Sequence, residues 1–406
     1  MQKRKNRYSK DRRLLRKGEY IRGDGYEFKY TDSFGKRHSV YANSLDELRL
    51  KEEALHRDIL DGIKSADRTL TINDYFNTWL DIKSGIRDST RYSYVRPYLR
   101  YVQPGFGNTK LKDLSYSQII RFYKDLAYKK NLSFSSIRTI NCVLSMILDV
   151  AVRDSVLRGN PCHGALSELQ RELPPPKKIK ALTIEEERVF VEFLRHSETF
   201  FRYYPVFITQ LFTGCRVGEV LALRLQDCDF TKNEISVSHS LMCYDLSGGK
   251  GSKYCVNDPK TKSSFRKIPM LPIVKEAIQT ELSVQHTRGI KCKDVIDGLT
   301  GFIFINSQGH VYNHKKLNTQ LYKISNAINR GIRNGTIETE LEEFPILHNH
   351  ILRHTFATRM REAHADYFAT SQILGHKKTD ITLSTYTDAS LEFKAQAIAA
   401  LEDFDF

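Results

Sequence analysis

Three consecutive prolines at residues 174–176, followed by Lys177 and Lys178, constrain the architecture of this chain more than any other sequence feature. Proline has no backbone N–H, and a run of prolines favours the extended polyproline II conformation, so a helix or central strand does not continue through it. The 406 residues suffice for two or three domains, because one domain takes about 100–200 residues. We therefore predict a stiff, basic linker and a separate C-terminal domain over residues 173–406.

Residues 1–66 predict a small domain that combines a sheet and a helix. The first twenty residues are rich in lysine and arginine, as in an arm that orders on phosphate or in a solubilising tail. Short runs of alternating aromatic residues over 20–41, separated by turn signals, predict three strands. Ser44 and Glu47 have the spacing of a capping box at the start of a helix. Aromatic and basic residues on such a sheet suit a groove of DNA, but they are as often one face of its core.

Residues 67–172 predict a helical domain. Four periodic segments follow one another between Leu70 and Cys162, and serine or threonine precedes most of them, where a helix N-cap is expected. Beyond the prolines, helices alternate with a few strands, including residues 233–242 and 263–271. The predicted fold class is multidomain and mainly α with small β-sheets (α+β). It comprises a three-stranded sheet plus helix, a four-helix domain and a mixed, mostly helical C-terminal domain.

Composition indicates a partner that carries many negative charges. The net charge is +15, and lysine and arginine that neutralise phosphates release condensed counterions, which makes nucleic acid the leading candidate. Seven cysteines without a C-x-x-C pair speak against a disulfide framework or a cysteine zinc site. No apolar run approaches the roughly 20 residues of a membrane span, and the basic start lacks the apolar segment of a secretory signal. We therefore expect a cytoplasmic protein without a membrane partner.

Two motifs in the C-terminal part contain basic side chains near expected turns. Gly214 allows a tight turn before a helix that begins near Arg216, whose guanidinium can fork onto two phosphate oxygens while Glu219 braces it. Without further context, an ordinary surface ion pair explains that spacing better. Lys260 lies on an expected hairpin tip, where a lysine with a lowered pKa can protonate a leaving oxygen. A solvated hairpin that grips DNA without specificity is the simpler interpretation of this motif taken alone.

Two further motifs contain histidine, arginine and tyrosine. His350 and Arg353 are three residues apart on an expected helix, where they share the face opposite the core and suit a phosphate. His350 and His354 have the spacing of a zinc helix, but the glutamate of the metalloprotease pattern is missing, so we do not expect a metal. His376 follows the expected end of a helix, and Tyr386 lies ten residues further on in a polar stretch.

Together, these motifs resemble the tyrosine recombinase family, which includes phage and conjugative-transposon integrases. The resemblance covers the whole C-terminal half, and the preceding small sheet and helical segment resemble the arm-binding and core-binding domains of integrases from Gram-positive transposons. It implies that Arg216 and Arg353 clamp the phosphate, that His350 and His376 are the paired histidines, and that Tyr386 is the nucleophile. It gives the domains as 1–66 (arm-binding), 67–172 (core-binding) and 173–406 (catalytic).

The resemblance also implies a reaction and its partners. Lys260 is the implied catalytic lysine and Lys262 the second choice, because the hairpin length shifts the alignment. The reaction is a transesterification through a 3′-phosphotyrosine, without ATP, cofactor or metal. The implied partners are duplex DNA with core-type crossover and arm-type sites, three further copies in a homotetramer, and an excisionase-type directionality factor. The tail from Leu391 packs on a neighbouring subunit or on its own domain, and the element is a prophage or a conjugative transposon.

Two other functions compete with this one. A DNA-binding regulator of the same architecture performs no chemistry, although the chain contains every catalytic residue type. An RNA-binding protein would use the aromatic, basic N-terminal half. The recombinase hypothesis places the protein in the bacterial cytoplasm on the nucleoid.

Overall fold

The computed structural model describes residues 7–31, 37–60, 69–173, 180–244, 253–257 and 265–375. The chain forms two compact units, Met1–Lys177 and Lys178–Phe406. Among the described residues, the first unit contains two hydrophobic cores and the second contains one. The tail from Leu391 lies outside these residues.

The first core lies between a three-stranded sheet and one helix, as predicted. Its elements are β1 (Glu19–Arg22), β2 (Gly25–Thr31), β3 (Arg37–Ala42) and α1 (Leu45–Leu60). The strands are antiparallel in the order β1-β2-β3. Tyr26 and Phe28 are buried with Leu48 of α1 in this core. The N–H of Glu47 donates to the Ser44 hydroxyl at 3.2 Å, so the serine caps α1 as expected.

The second core belongs to a group of helices. They are α2 (Ile72–Ile82), α3 (Asp88–Pro97), α4 (Tyr116–Lys124), α5 (Phe134–Arg153) and α6 (Ala165–Glu172). The four predicted helices are present, and the short α6 is an addition. Pro97 ends α3 in a wider π turn, Tyr98–Val102, because its ring removes a backbone donor from the regular ladder. Tyr98 then stacks on Phe76 with 3.7 Å between the ring centroids.

One helix among the described residues, α5, is long and apolar enough by length and composition to cross a membrane. It lies in the second core, to which it contributes seven buried side chains. These are Ile137, Ile140, Val143, Leu144, Ile147, Leu148 and Ala151. Its apolar composition is accounted for by this core position.

The second unit is mostly helical. Its helices are α7 (Ile184–His196), α8 (Tyr204–Thr213), α9 (Val217–Leu221), α10 (Pro272–Thr287), α11 (His314–Arg333), α12 (Asn349–Glu362) and α13 (Tyr367–Leu374). Its strands are β4 (Cys228–Asp229), β5 (Glu234–Val237), β6 (Ser240–Tyr244), β7 (Lys253–Asn257) and β8 (Arg266–Pro269). Strands β4, β5 and β8 form one antiparallel sheet, and β6 and β7 form a second. The predicted fold class is confirmed.

Helix α8 is the centre of this unit, because almost every one of its residues is buried and α7, α10 and α12 pack on it. It ends at Gly214, whose left-handed φ of +64° turns the chain directly into the segment that carries Arg216. An alanine Cβ at Gly214 would overlap the Phe356 ring of α12. Helix α13 ends in the same way at Gly375, with φ +65°. The two turns bring both helix ends toward α12.

Candidate active site

Arg216 precedes α9, and Glu219 holds it as the sequence predicted. The Arg216 backbone N–H donates to one carboxylate oxygen of Glu219 at 2.9 Å, and its Nη1 donates to the other at 2.9 Å. The Arg216 side chain is 46% exposed, whereas the Glu219 side chain is buried. The guanidinium is therefore anchored on one edge and accessible on the rest.

Arg353 lies on α12 and is only 5% exposed, although we predicted it beside His350 on the helix face opposite the core. Burial is possible because its guanidinium donates to the carbonyl of Gly214 at 2.8 Å and to that of Leu374 at 2.7 Å. These carbonyls end α8 and α13, where the helix dipole favours a positive charge. Arg353 thus joins three helices.

Arg266 is a third guanidinium in this cluster, and sequence reasoning missed it. It begins β8, and its side chain is 6% exposed. It donates to both oxygens of Glu219, at 2.7 and 3.3 Å, and its Nε donates to the Ile373 carbonyl. The only sequence signal was its position in a basic motif, because its partners are 47 and 107 residues away.

The cluster contains three guanidinium groups and one carboxylate. Burial alone would raise the pKa of Glu219, but the hydrogen bonds and charges of Arg266 and Arg216 lower it to about 2. Burial, followed by repulsion from Arg216, lowers the pKa of Arg353 to about 9. Glu219 is therefore ionised at neutral pH, and the positive charges outnumber it. Such a cluster attracts an anion, and a planar guanidinium matches the oxygen geometry of a phosphate.

His350 lies on the exposed side of α12, one turn before Arg353. Partial burial of the ring and the positive charge of Arg353, with a smaller contribution from Arg216, lower its pKa. His350 is therefore mainly neutral at pH 7, in a form that accepts a proton. Across the described ranges, no three His, Cys, Asp or Glu side chains come together as metal ligands would.

Arg216, His350 and Arg353 are therefore brought together, whereas Lys260, Lys262, His376 and Tyr386 lie outside the described residues. The chain on either side of these positions can still be located. Strand β8, which follows the lysine segment, begins at Arg266 inside the cluster. Gly375, the residue before His376, is so close to Arg266 that an added Cβ would lie 3.0 Å from its Nη1.

Comparison with known families accounts for this arrangement. The Phage integrase family model matches residues 180–392, which is more than half of the chain. The chain belongs to the phage integrase family. Two more models match this integrase, the DNA binding domain of Tn916 integrase over residues 1–59 and the phage integrase N-terminal SAM-like domain over residues 71–127. The resemblance to tyrosine recombinases and the predicted enzyme class, a site-specific DNA recombinase, are confirmed.

Two relatives that match over almost their whole length support the same assignment, and one solved structure shares the fold. The integrase is 28% identical to the transposase from transposon Tn916 of Enterococcus faecalis, over 94% of this chain and 93% of that protein. It is 26% identical to a XerC-like tyrosine recombinase of Caldanaerobacter subterraneus subsp. tengcongensis, over 96% and 99% of the two chains. A solved structure of Tn1549 transposon integrase with transposon right end DNA is 24% identical, with a TM-score of 0.69 over 82% of this chain and all of that one.

Proposed function

We propose that this integrase cleaves and rejoins duplex DNA through a 3′-phosphotyrosine at Tyr386, and so integrates and excises a mobile element. The observation that carries the proposal is the cluster in which Arg216 and Arg353 lie together around Glu219, with His350 beside them. The likeness to the Tn916 transposase and the Tn1549 integrase favours a conjugative transposon over a prophage as the element.

Each residue has one task in the proposed reaction. The phenol oxygen of Tyr386 attacks the scissile phosphorus, and its proton passes to neutral His350, since a phenol with a pKa of about 10 needs a base at neutral pH. Arg216 and Arg353 bind the non-bridging oxygens and stabilise the charge that grows on them in the transition state. The bond between phosphorus and the 5′ oxygen breaks, and the 3′ phosphate stays on the tyrosine.

The remaining groups complete the exchange. Lys260, or Lys262 if the alignment shifts, gives a proton to the departing 5′ oxygen, and His376 helps to hold the phosphate. A 5′ hydroxyl from another duplex then attacks the phosphotyrosine and reverses the steps. One phosphodiester is exchanged for another, so the reaction consumes no ATP.

The outer face of the N-terminal sheet is the proposed contact with arm-type DNA. Tyr20 and Tyr41 are exposed there, opposite the helix-covered face, with Arg22 and Lys29 beside them. Arg22 lies over the Tyr41 ring at 4.9 Å and Lys29 over the Tyr20 ring at 5.2 Å. Rigid aromatic rings with adjacent cations suit a DNA groove lined by phosphates.

Strand exchange between two duplexes requires four scissile phosphates, so we further propose a homotetramer on DNA, acting in the cytoplasm on the nucleoid. A solved lambda integrase tetramer on a Holliday junction, with a TM-score of 0.51 at 15% identity, shares the fold with this chain. The tail from Leu391 would link subunits or cover its own domain. An excisionase-type factor would set the direction.

A covalent trapping experiment tests the chemistry. A nicked duplex that spans the junction of the element and the chromosome is incubated with the full chain, and the products are separated in denaturant. We expect a protein–DNA adduct from the wild type and none from Tyr386→Phe. Tyr322→Phe is the control, because Tyr322 is an exposed tyrosine on α11. If the wild type binds this duplex but forms no adduct, the protein is a DNA-binding regulator; an undiminished adduct from Tyr386→Phe contradicts the choice of nucleophile.

A further inference from the structure

Arg266 is buried in the cluster, yet the proposed reaction assigns no step to it. Its guanidinium contacts Glu219 in α9, the thiol of Cys215, and the Ile373 carbonyl in α13, while its backbone begins β8. All three nitrogens of its guanidinium are engaged by these protein groups, so we assign it no contact of its own with DNA. Any influence on the reaction must pass through its neighbours.

The first neighbour is Glu219, which Arg266 shares with Arg216. Each carboxylate oxygen of Glu219 receives one hydrogen bond from Arg216 and one from Arg266. A carboxylate gripped at both oxygens by a buried fork has a fixed plane. That plane sets the direction in which the partly exposed guanidinium of Arg216 points.

The second neighbour is the end of α13. Arg266 binds the carbonyl of Ile373, and Arg353 binds the next carbonyl, that of Leu374. Gly375 follows with φ +65°, and an added Cβ there would meet the Arg266 guanidinium. Two buried arginines therefore fix the backbone at the end of α13, immediately before His376.

We propose that Arg266 is a positioning residue for strand cleavage, which orients Arg216 through Glu219 and fixes the turn that precedes His376. This inference rests on the proposed function, because it assigns Arg216 and His376 to the scissile phosphate. Arg266 couples the strand that follows the catalytic lysine segment to the groups that hold the phosphate. Its loss slows cleavage and leaves the affinity for DNA nearly intact, since Arg266 itself does not contact the duplex.

The test compares Arg266→Met with the matched control Arg359→Met. Arg359, also in the second unit, likewise joins a carboxylate and a carbonyl, those of Glu187 and Leu182, but it lies outside the cluster. Single-turnover adduct formation on the nicked duplex and the Kd for the intact duplex are measured for both. We expect the Arg266→Met rate to fall about 100-fold, the loss that a misplacement of about 1 Å can cause, with Kd changed less than about threefold. Arg359→Met should keep the wild-type rate.

A pH profile of the adduct rate separates positioning from general loss of structure. Without Arg266, burial raises the pKa of Glu219 and only the charges of Arg216 and Arg353 oppose it, so the acid limb of the rate profile should move to higher pH than in the wild type. Arg266→Lys restores a charge but cannot span Glu219 and Ile373 together, so it should bring the limb back and recover the rate only in part. If Arg266→Met does not fold, the same profile of Arg266→Lys decides.

Two results overturn the inference: a wild-type rate and profile in both Arg266 variants, or an equal loss of rate in Arg359→Met. Failure of the proposed function gives a different result, because the wild type would then form no adduct or Tyr386→Phe would still form one.

Discussion

Glu219 and Glu281 are both buried in the second unit, yet their neighbours give them opposite tendencies to ionise. The carboxylate of Glu219 lies between two guanidinium groups, which lower its pKa to about 2. Burial raises the pKa of Glu281 to about 7, because Gln285 and Arg202 offset little of the cost of charging a carboxyl away from water. Glu219 therefore keeps its charge over the working pH range, whereas Glu281 titrates within it.

Glu281→Gln should remove a pH dependence of stability. The pKa of Glu281 in the folded protein lies above its ordinary value of 4.5, so the wild type loses stability as pH rises from about 4.5 to 7. A glutamine keeps an oxygen for the hydrogen bond from Gln285, which is 2.7 Å long. The free energy of unfolding of Glu281→Gln, relative to that of the wild type, should therefore be about 1–3 kcal/mol higher at pH 8 than at pH 5. Urea unfolding at the two pH values measures this difference. Parallel pH dependences in the two proteins would show that Glu281 does not titrate in this range.

The helix α9 is only five residues long, so its position depends on packing more than on helix propensity. It packs on β6 through Gly218, where an added Cβ would lie 2.6 Å from the Leu241 carbonyl oxygen. Glycine is required there because of this close approach, and the approach places both Arg216 and Glu219 at the start of α9.

Gly218→Ala should lower both stability and the adduct rate. The backbone of β6 cannot move aside as a side chain can, so we expect a loss of roughly 1–3 kcal/mol in the free energy of unfolding. Gly331→Ala on α11 is the control, because its Cβ would lie 2.6 Å from the flexible end of Ile337. Thermal unfolding and the trapping experiment measure both effects. Equal losses in the two variants would rule out a special role for the α9–β6 contact.

What the sequence could predict at this scale follows from distance along the chain. The brace between Arg216 and Glu219 was predictable, because a spacing of three residues is set by one helical turn. The burial of Arg353 was not, since its acceptor at Gly214 is 139 residues away and belongs to the end of another helix. The role of Arg266 could not be predicted for the same reason, because its partners Glu219 and Ile373 are 47 and 107 residues away. Periodicity identifies a helix face, but only tertiary packing shows which polar residue the core accepts.

At the scale of the whole chain, the proposed function divides DNA recognition among separate regions. The N-terminal sheet exposes aromatic and basic residues, and the basic cluster lies in the second unit with its own core. A net charge of +15 supplies affinity for phosphates without regard to sequence, and that affinity falls with added salt. The proposed arm-binding, core-binding and catalytic domains over 1–66, 67–172 and 173–406 would divide these tasks.

Deleting the residues before Thr69 should separate arm-type from core-type binding. We expect the shortened protein to lose affinity for arm-type duplex and to keep adduct formation on the nicked core duplex, because the cluster lies entirely beyond the deletion. Competition binding with both duplexes measures the two affinities. The double substitution of Arg22 and Lys29 by alanine in the full chain checks that the sheet surface is responsible. Equal loss at both duplexes would contradict the division of tasks.

The cluster of three guanidinium groups and one carboxylate cannot by itself distinguish one DNA sequence from another. Guanidinium groups that bind a phosphate contact its oxygens and its charge, and every phosphodiester in a genome has the same oxygens and the same charge. In the proposed reaction, cleavage at this cluster therefore has no base preference of its own, and the DNA sequence must be selected by side chains elsewhere that reach base edges. A defect in those side chains would leave the cutting intact and misdirect it.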